Sequence, residues 1–302
     1  MQARRNNARR DVRPSPRPVA ATPGRAFEIA HARADSLSLF LRASIGLHVF
    51  AAGAVSTELS WWPLVLGTLA ADHLVITAAG LWPTSTLLGP NLRRLPPDAA
   101  ARREIALTFD DGPDPEVTPR VLDMLDEHGV KATFFCVGSL VARYPQLARD
   151  IVARGHAIEN HSNVHRHHFS LLGPRGFERE SGAAQDTITG VTGRAPRFFR
   201  APAGLRNPFL QPVLARHGLA LTSWSRRGFD TVWRDPQRVA RRLTHGLAGG
   251  DILLLHDGHS ARTVDAMPVV LDVLPRLLAA VRKAGLKPVT LAATFGDRSE
   301  DG

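Results

Sequence analysis

Cysteine and lysine are both scarce in this sequence. Cys136 is the single cysteine among 302 residues, so no disulfide can form within the chain. It lies in the apolar run ATFFCVG with no base near it in the sequence, which favours a buried strand cysteine over a nucleophile. Only three of the 38 Lys and Arg residues are lysines, and such a uniform preference for arginine says little about binding.

The sequence also lacks an internal repeat, a zinc-finger signature and an RNA-binding signature. Its net charge of +10 is compatible with nucleic acid, an anionic lipid or a phosphorylated substrate. The missing signatures make nucleic acid the weakest of these three partners. With 44% hydrophobic and 22% charged residues the chain is globular, and its length allows one large α/β domain, alone or with an appendage.

Two apolar stretches, 37–56 and 62–82, follow an Arg- and Pro-rich segment, 1–36, which we expect to be disordered, like the tail 296–302. Each stretch is close to the roughly 20 residues that span a bilayer. Tryptophans flank them as in an aromatic belt, namely Trp61, Trp62 and Trp82. Residues 37–82 therefore predict a hydrophobic helical hairpin that anchors the chain in membrane lipid. The alternative is a pair of soluble helices packed on the main domain.

An acidic residue, Asp72, lies near the middle of the second stretch, where it would cost about 2.5–3.5 kcal/mol on insertion scales. Pairing with His48 or His73 would lower this cost. Arginines lie before the first stretch and after the second, and the short turn between them carries only Glu58. This distribution favours the cytoplasmic side of a bacterial inner membrane for both ends. If only one stretch spans, the following domain lies outside.

After a polar linker, 83–103, short apolar runs alternate with helix-like segments over 104–295. The runs predict seven strands, at 104–109, 132–137, 157–160, 197–200, 219–224, 251–256 and 287–291. The last intervening segment ends in Lys283 and Gly285, a good C-terminal signal for a helix. Strands that alternate with helices form a parallel sheet, so we predict an α/β fold, either a barrel or a doubly wound sheet.

Polar motifs follow these strands where they end, and in a parallel barrel the carboxyl ends of the strands meet on the face that carries active sites. His161 and His165 are four residues apart, so a helical turn would direct both imidazoles the same way. Together with Asp111 they form a familiar ligand set for a divalent metal. Asp110 would then be free to take a proton from water. The alternatives are an ordinary acidic turn and unrelated surface histidines.

Three other strand-end features each have two interpretations. His256 ends the apolar run DILLLH, as either a satisfied core histidine or a general acid. Arg200 is either a structural ion-pair partner or the group that orients Asp110 and keeps it ionised. Pro202 and Gly204 shape a loop whose backbone N–H groups could meet a developing oxyanion.

Taken in order, the motifs resemble those of the polysaccharide deacetylases, carbohydrate esterase family 4 with its NodB homology domain, over about 104–292. The family includes chitooligosaccharide and peptidoglycan N-acetylglucosamine deacetylases. The resemblance implies a distorted, often incomplete (β/α) barrel. It also implies a divalent metal, usually zinc, with cobalt or another ion as alternatives. The motif TFDDG implies Asp110 as the catalytic base and Asp111 as a metal ligand.

The remaining motifs extend this resemblance. HSNVH implies His161 and His165 as the other metal ligands, and RAPAG implies Arg200 as the partner of the base. LLHDG implies His256 as the acid, with Leu254 or Leu255 in the pocket wall that faces the acyl methyl.

Two motifs depart from the family pattern. Ala203 stands where the third motif usually has an aromatic residue, so its backbone N–H can still serve the oxyanion but a sugar-facing wall is lost. WSRRGFDT keeps Asp230, which the resemblance implies as the support of His256, but has Arg227 in place of the first acid and a threonine in place of the tryptophan. Arg226 and Arg227 near the mouth indicate an anionic ligand, with plain solvent exposure as the alternative.

The resemblance thus implies a metal-dependent hydrolase that removes an N-acetyl group from an amino sugar. The hairpin and the two arginines favour a lipid-linked, phosphate-bearing sugar as substrate, with peptidoglycan or chitooligosaccharide as the alternative. Two other classes stay open. One is a non-catalytic glycan-binding protein with the same fold, and the intact set of base, ligands and acid argues against it. The other is a nucleic-acid binder that uses residues 1–36.

Overall fold

The computed structural model describes residues 37–295, so the two predicted disordered tails lie outside the described residues. The first elements are α1 (Leu39–Thr57), a 3-10 turn (Leu59–Trp61) and α2 (Trp62–Leu81). Ser38 begins α1 by accepting a hydrogen bond from the backbone of Leu41 at 3.2 Å. Both helices are long and apolar enough to cross a membrane, and only 17% and 11% of their apolar windows are buried. Most of both helices therefore lies outside the core of the domain, and only Leu41 and Ala79 join a small buried cluster with Leu88.

Polar side chains meet at the middle of this hairpin. Asp72 accepts a hydrogen bond from Ser44 Oγ at 2.6 Å, so its hydrogen-bond partner is a hydroxyl and not either of the histidines named above. The rings of His48 and His73 lie 5.2 Å apart, and each Nδ1 is within hydrogen-bond distance of a carbonyl four residues earlier. Asp72 is thus paired within the hairpin, which lowers the cost of its position between two apolar helices.

The main domain is built on a parallel sheet. Its strands are β1 (Glu104–Asp110), β2 (Thr133–Cys136), β3 (Ala157–Asn160), β4 (Phe198–Phe199), β5 (Ala220–Leu221), β6 (Arg226–Arg227), β7 (Ile252–His256) and β8 (Lys287–Pro288). The order is β5-β4-β3-β2-β1-β7-β6, with β8 beside β1, and every pairing is parallel. No pairing joins the two end strands β5 and β6 in the described residues, so the sheet is a curled half-barrel. The prediction of a distorted (β/α) barrel is confirmed.

Most of the helices pack on the outer face of the sheet, whereas the first and the last of the domain pack against its inner face. They are α3 (Pro97–Ala101), α4 (Thr118–Glu127), α5 (Gly138–Arg143), α6 (Pro145–Ala153), α7 (Pro174–Thr192), α8 (Leu210–Arg216), α9 (Pro236–Thr244), α10 (Val269–Lys283) and α11 (Leu291–Phe295). The largest core cluster lies between these helices and the sheet, where Phe109 stacks on Phe134 with ring centroids 5.0 Å apart. Cys136 is buried in the same cluster, and burial raises the pKa of its thiol well above the usual value.

The segment interpreted as a linker, 83–103, is packed against the open side of the sheet. The backbone of Leu92 pairs with the β5 edge, donating to Leu221 O and accepting from Ser223 N. Further along, Leu95 donates to Gly250 O, just before β7. This segment therefore covers part of the gap that the half-barrel leaves.

The end of the hairpin is held against the domain. We call residues 80–91 the hairpin foot. The backbone N–H of Arg206 donates to Gly80 O at 3.1 Å, and its buried guanidinium donates to Ser85 O at 2.7 Å. A Cβ added to Gly204 would lie 2.5 Å from the Pro83 side chain, so the two segments are in close contact. Since residues 202–204 form the loop of the third motif, the foot lies directly beside it.

Candidate active site

One cavity of about 300 Å³ opens at the carboxyl ends of the strands. The parallel register places Asp110 of β1 beside His256 of β7, because both are the last residues of neighbouring strands. The loops that follow β3 and β4 add His161 and Arg200. The cavity is lined by Asp110, Asp111, His161, His165, His167, Ala203, Gly204, Trp224, Arg227, Thr231, Leu254, His256 and His259. Residues from five separate motifs therefore share one space.

Three side chains form a group that can hold a metal ion. Asp111 Oδ1 lies 3.1 Å from the Nε2 atoms of both His161 and His165, and all three ligand atoms lie within 4.8 Å of one another. His161 Nδ1 is 2.8 Å from Arg200 O, which fixes that ring with Nε2 toward Asp111. One carboxylate oxygen and two imidazole nitrogens are donors that suit a divalent transition metal.

Charges within this group shift the pKa of its members. Burial would raise the pKa of Asp111, but hydrogen bonds from His161, His165 and His259 outweigh burial and hold it well below its usual range. Burial would lower the pKa of His161, but the Asp110 and Asp111 carboxylates outweigh it and raise that pKa. A metal ion in the site would take the place of the protons that these contacts now favour.

A loop, and not a helical turn, brings the two histidines together. Ser162 and His165 have positive φ angles of 64° and 48°, so the chain folds back sharply between the ligands. The buried Glu180 carboxylate holds this loop by accepting from the backbone N–H groups of Asn163 and Val164 at 3.1 and 3.0 Å. Sequence reasoning did not find Glu180, because it lies on α7 in no recognisable motif.

Arg200 is paired with Asp110 in the interior. Its Nη1 lies 2.6 Å from Asp110 Oδ1, and the arginine is 1% exposed. Its other nitrogens donate to the backbone carbonyls of Thr222 and Ser223, and its guanidinium stacks 4.0 Å from the Phe135 ring centroid. The usual pKa of an arginine lies far above neutrality, and burial lowers it for Arg200. The fixed positive charge stabilises the Asp110 carboxylate.

His256 is paired with the fully buried Asp230. Its Nδ1 lies 2.9 Å from Asp230 Oδ1, and its backbone N–H donates to Asp230 Oδ2 at 2.8 Å. Burial would lower the pKa of His256, but the Asp230 carboxylate outweighs burial and raises it to about 9. The imidazole is therefore protonated at neutral pH, with Nε2 left for the cavity.

Two more residues, one in the last motif and one directly after it, contribute, and sequence reasoning missed both. Asp257 is buried behind the cavity, where Thr118 Oγ1 donates to it at 2.5 Å and burial raises its pKa to about 7. His259 Nδ1 lies 3.3 Å from Asp111 Oδ2 at the exposed mouth. Their positions one and three residues after His256 were the available signal.

The residues predicted to form the pocket wall do not all line the cavity. Leu254 lines it, whereas Leu255 is packed in the main hydrophobic core, because neighbouring residues of a strand face opposite sides. Leu255 is therefore not a pocket residue, contrary to the prediction. Ala203 and Gly204 line the cavity with φ angles of 55° and 75°, held in place by the hairpin foot.

The two arginines of the fourth motif also differ in whether they line the cavity. Arg227 lines the cavity. Arg226 does not, because its guanidinium forms an ion pair with the buried Asp251 and donates to the carbonyls of His245 and Gly246. The expectation that both arginines face one ligand at the mouth is therefore corrected for Arg226, which has a structural role.

The barrel is half open, and its strand ends carry a paired base, a paired acid and three metal-type donors. This combination defines a hydrolytic enzyme. The family model described as polysaccharide deacetylase matches residues 98–222. A chitooligosaccharide deacetylase of Bradyrhizobium sp. is 38% identical over 169 residues, which cover 56% of this chain and 77% of that protein. The chain belongs to the polysaccharide deacetylase family.

Two further similarities agree with this assignment. A peptidoglycan-N-acetylglucosamine deacetylase of Bacillus cereus is 32% identical over 209 residues, covering 66% of this chain and 70% of that protein. The solved structure of a peptidoglycan N-acetylglucosamine deacetylase has a TM-score of 0.61 at 25% identity and covers 68% of this chain and 92% of that one. The enzyme class is a hydrolase of non-peptide carbon–nitrogen amide bonds.

Proposed function

We propose that this protein is a metal-dependent deacetylase that removes the N-acetyl group from an amino sugar of a glycan held at a membrane. The observation that carries the proposal is a single cavity in which Asp110 is paired with Arg200 and His256 is paired with Asp230. These two pairs hold a carboxylate and an imidazolium on neighbouring strands beside three metal-type donors.

Asp111, His161 and His165 would hold the metal, with zinc favoured by the family resemblance and cobalt as an alternative. The short distances among their donor atoms and the backbone bond on His161 Nδ1 fit such an ion. When bound, a divalent metal supplies a Lewis acid that polarises the acyl carbonyl. Asp110 Oδ2 is 3.8 Å from His161 Nε2, so the base lies next to the metal-type donors without being one of them.

Proton transfer follows from the two pairs. Asp110, paired with the Arg200 guanidinium, takes a proton from water as the water oxygen forms a bond to the acetyl carbon. His256, protonated through Asp230, gives a proton to the amine nitrogen as the carbon–nitrogen bond breaks. The products are the free amino sugar and acetic acid, which ionises to acetate. Return of the proton from Asp110 to His256 restores both groups.

The shape of the cavity supports a small acyl group on a sugar. Leu254 and Trp224 supply apolar wall beside the reacting groups, a suitable surface for an acetyl methyl. Ala203 gives the sugar no aromatic surface, and the loop that carries it is held by the hairpin foot. The sugar therefore lies against the third-motif loop, which the foot supports.

The hairpin supports a membrane-held substrate. Residues 37–82 would anchor the protein in lipid, with the cytoplasmic side of a bacterial inner membrane favoured by the arginine distribution. The foot contacts Gly204, and its own residues Leu81 and Trp82 are 59% and 66% exposed. The cavity consequently opens near the level at which the hairpin leaves the bilayer, within reach of a lipid-linked amino sugar. Chitooligosaccharide and peptidoglycan, the substrates named for the relatives, are the alternatives.

A panel assay tests this function. The full-length protein in detergent is incubated with a lipid-linked N-acetylglucosamine, a chitooligosaccharide and peptidoglycan fragments, and acetate release is measured with and without a chelator. We expect release that the chelator and Asp110→Asn both abolish. Glycan binding without acetate release from any compound in zinc-supplemented protein would instead support the non-catalytic alternative.

A further inference from the structure

A second cleft, of about 630 Å³, adjoins the catalytic cavity. Arg227 lines both spaces and so lies between them. The cleft is otherwise lined mainly by the arginines of α9, including Arg238, Arg241 and Arg242. No aspartate or glutamate is found among the described residues of its lining. It is therefore a strongly basic cleft beside the active site.

Aromatic rings hold these arginines in a fixed order. The guanidinium of Arg227 lies 4.8 Å from the Phe229 ring, and that of Arg242 lies 5.0 Å from the same ring. Phe229 contacts Trp233 with centroids 5.2 Å apart, and Arg238 lies 3.8 Å above Trp233. We call these five residues the arginine–aromatic ladder. Stacking occupies the faces of the guanidinium groups and leaves their N–H edges to bind ligands.

The positive charge of the ladder is not compensated within the described part of the chain. Arg226 is neutralised by Asp251, but Arg227, Arg238 and Arg242 form no ion pair with a carboxylate of residues 37–295. The Nε of Arg227 is buried and has no hydrogen-bond partner there. A buried donor without a partner is unfavourable, so a shift of the Arg227 side chain toward a ligand acceptor would stabilise the site.

We infer that the arginine–aromatic ladder is a phosphate-binding subsite, which holds a phosphodiester or diphosphate group of the substrate while the acetamido group occupies the catalytic cavity. The inference rests on the proposed function and names the chemical class of its substrate. Three adjacent guanidinium groups match the several oxygens and multiple charge of a diphosphate better than the single charge of a carboxylate. The phosphate could belong to a lipid carrier or to a soluble sugar phosphate.

The variant Arg238→Gln/Arg242→Gln tests the subsite without touching the catalytic cavity. Both arginines are exposed on α9, four residues apart, and neither lines the catalytic cavity. The matched control is Arg175→Gln/Arg179→Gln, an exposed pair with the same spacing on α7. Because α7 connects β3 to β4 and α9 connects β6 to β7, the two pairs lie on opposite sides of β1 in the sheet.

Deacetylation is measured on three compounds: a prenyl-linked N-acetylglucosaminyl diphosphate, the same sugar diphosphate without lipid, and a neutral alkyl N-acetylglucosaminide. We expect the α9 variant to raise KM for both phosphorylated compounds about tenfold or more, with kcat and the neutral compound unchanged. The control pair should change none of these values. A loss on the prenyl-linked compound alone assigns the phosphate to the lipid carrier, whereas an equal loss on both shows that phosphate suffices.

Two results would overturn the subsite: unchanged KM for both phosphorylated compounds, or an equal rise for the neutral one. If the wild-type enzyme releases acetate from none of the three, the proposed substrate is wrong, and the subsite is then decided by calorimetry with glycerol 1-phosphate. In that case binding at least tenfold weaker in the α9 variant than in wild type supports the subsite. Equal affinity in the two proteins contradicts it.

Discussion

Asp230 controls the protonation of His256, and Asp230→Asn should change how activity depends on pH. The imidazolium is the form that can donate a proton to the leaving amine. Its pKa is raised to about 9, so this form is present below that pH and is lost as the pH rises through it. Without the Asp230 charge, burial is opposed only by the Asp110 and Asp111 carboxylates, and the pKa falls toward the ordinary value of 6.5.

These values give the size of the effect. At pH 8, His256 with a pKa of about 9 is roughly nine-tenths protonated, whereas with a pKa of 6.5 it is roughly 3% protonated. The variant should therefore be about 30-fold slower at pH 8 and nearly unaffected by this cause at pH 6. A bound divalent cation lowers the His256 pKa in both proteins, so the difference between the two alkaline limbs is the quantity to compare.

The assay is kcat/KM for acetate release between pH 5.5 and 10, with Asp186→Asn, an exposed acid on α7, as the control. Asp230→Asn also disturbs the hydrogen bond from the His256 backbone N–H. The free energy of unfolding of the variant should therefore fall by about 1–3 kcal/mol, which a lower melting temperature would show. A uniform loss of activity at every pH, with the alkaline limb in its wild-type position, would refute the assignment of Asp230 and His256 as a coupled acid.

Further predictions concern the other parts of the site. Arg200→Met leaves the buried base without its cation and should lower stability by about 3–5 kcal/mol in denaturant titrations, whereas stability within 1 kcal/mol of wild type would contradict the buried pair. Asp111→Asn should reduce bound zinc, measured by mass spectrometry of the purified protein, from about one equivalent to a small fraction. Gly204→Ala, at φ 75° and against the hairpin foot, should lower the melting temperature, whereas Gly190→Ala on exposed α7 should be neutral or stabilising; equal shifts would argue against the close contact.

Most of the fold could be predicted from the sequence, because buried parallel strands read as short apolar runs. β3 was predicted at its observed bounds, and β1 differs by one residue at its end. β6 was missed, since Arg226 and Arg227 carry no apolar signal. Their strand conformation depends on the parallel pairing with Leu253 and Leu254, which is a tertiary interaction.

The group of three metal-type donors could likewise be predicted only in part from the sequence. Residue types and spacing in DDG and HSNVH were enough to propose Asp111, His161 and His165, and the structure brings their donor atoms together. The helical turn offered as the reason was wrong, because Ser162 and His165 adopt positive φ angles. The loop that results is held by Glu180 from a distant helix, which spacing within one motif cannot reveal.

By itself the sequence determined which chemical groups are available and the order in which strands would present them. This is possible because motifs at strand ends depend on local pattern and on the common direction of parallel strands. Only the tertiary structure decided which of two adjacent residues faces the cavity, as with Arg227 over Arg226 and Leu254 over Leu255. It also placed the hairpin foot beside Gly204, because contacts between distant segments depend on how closed surfaces pack and leave no periodic signal in the chain.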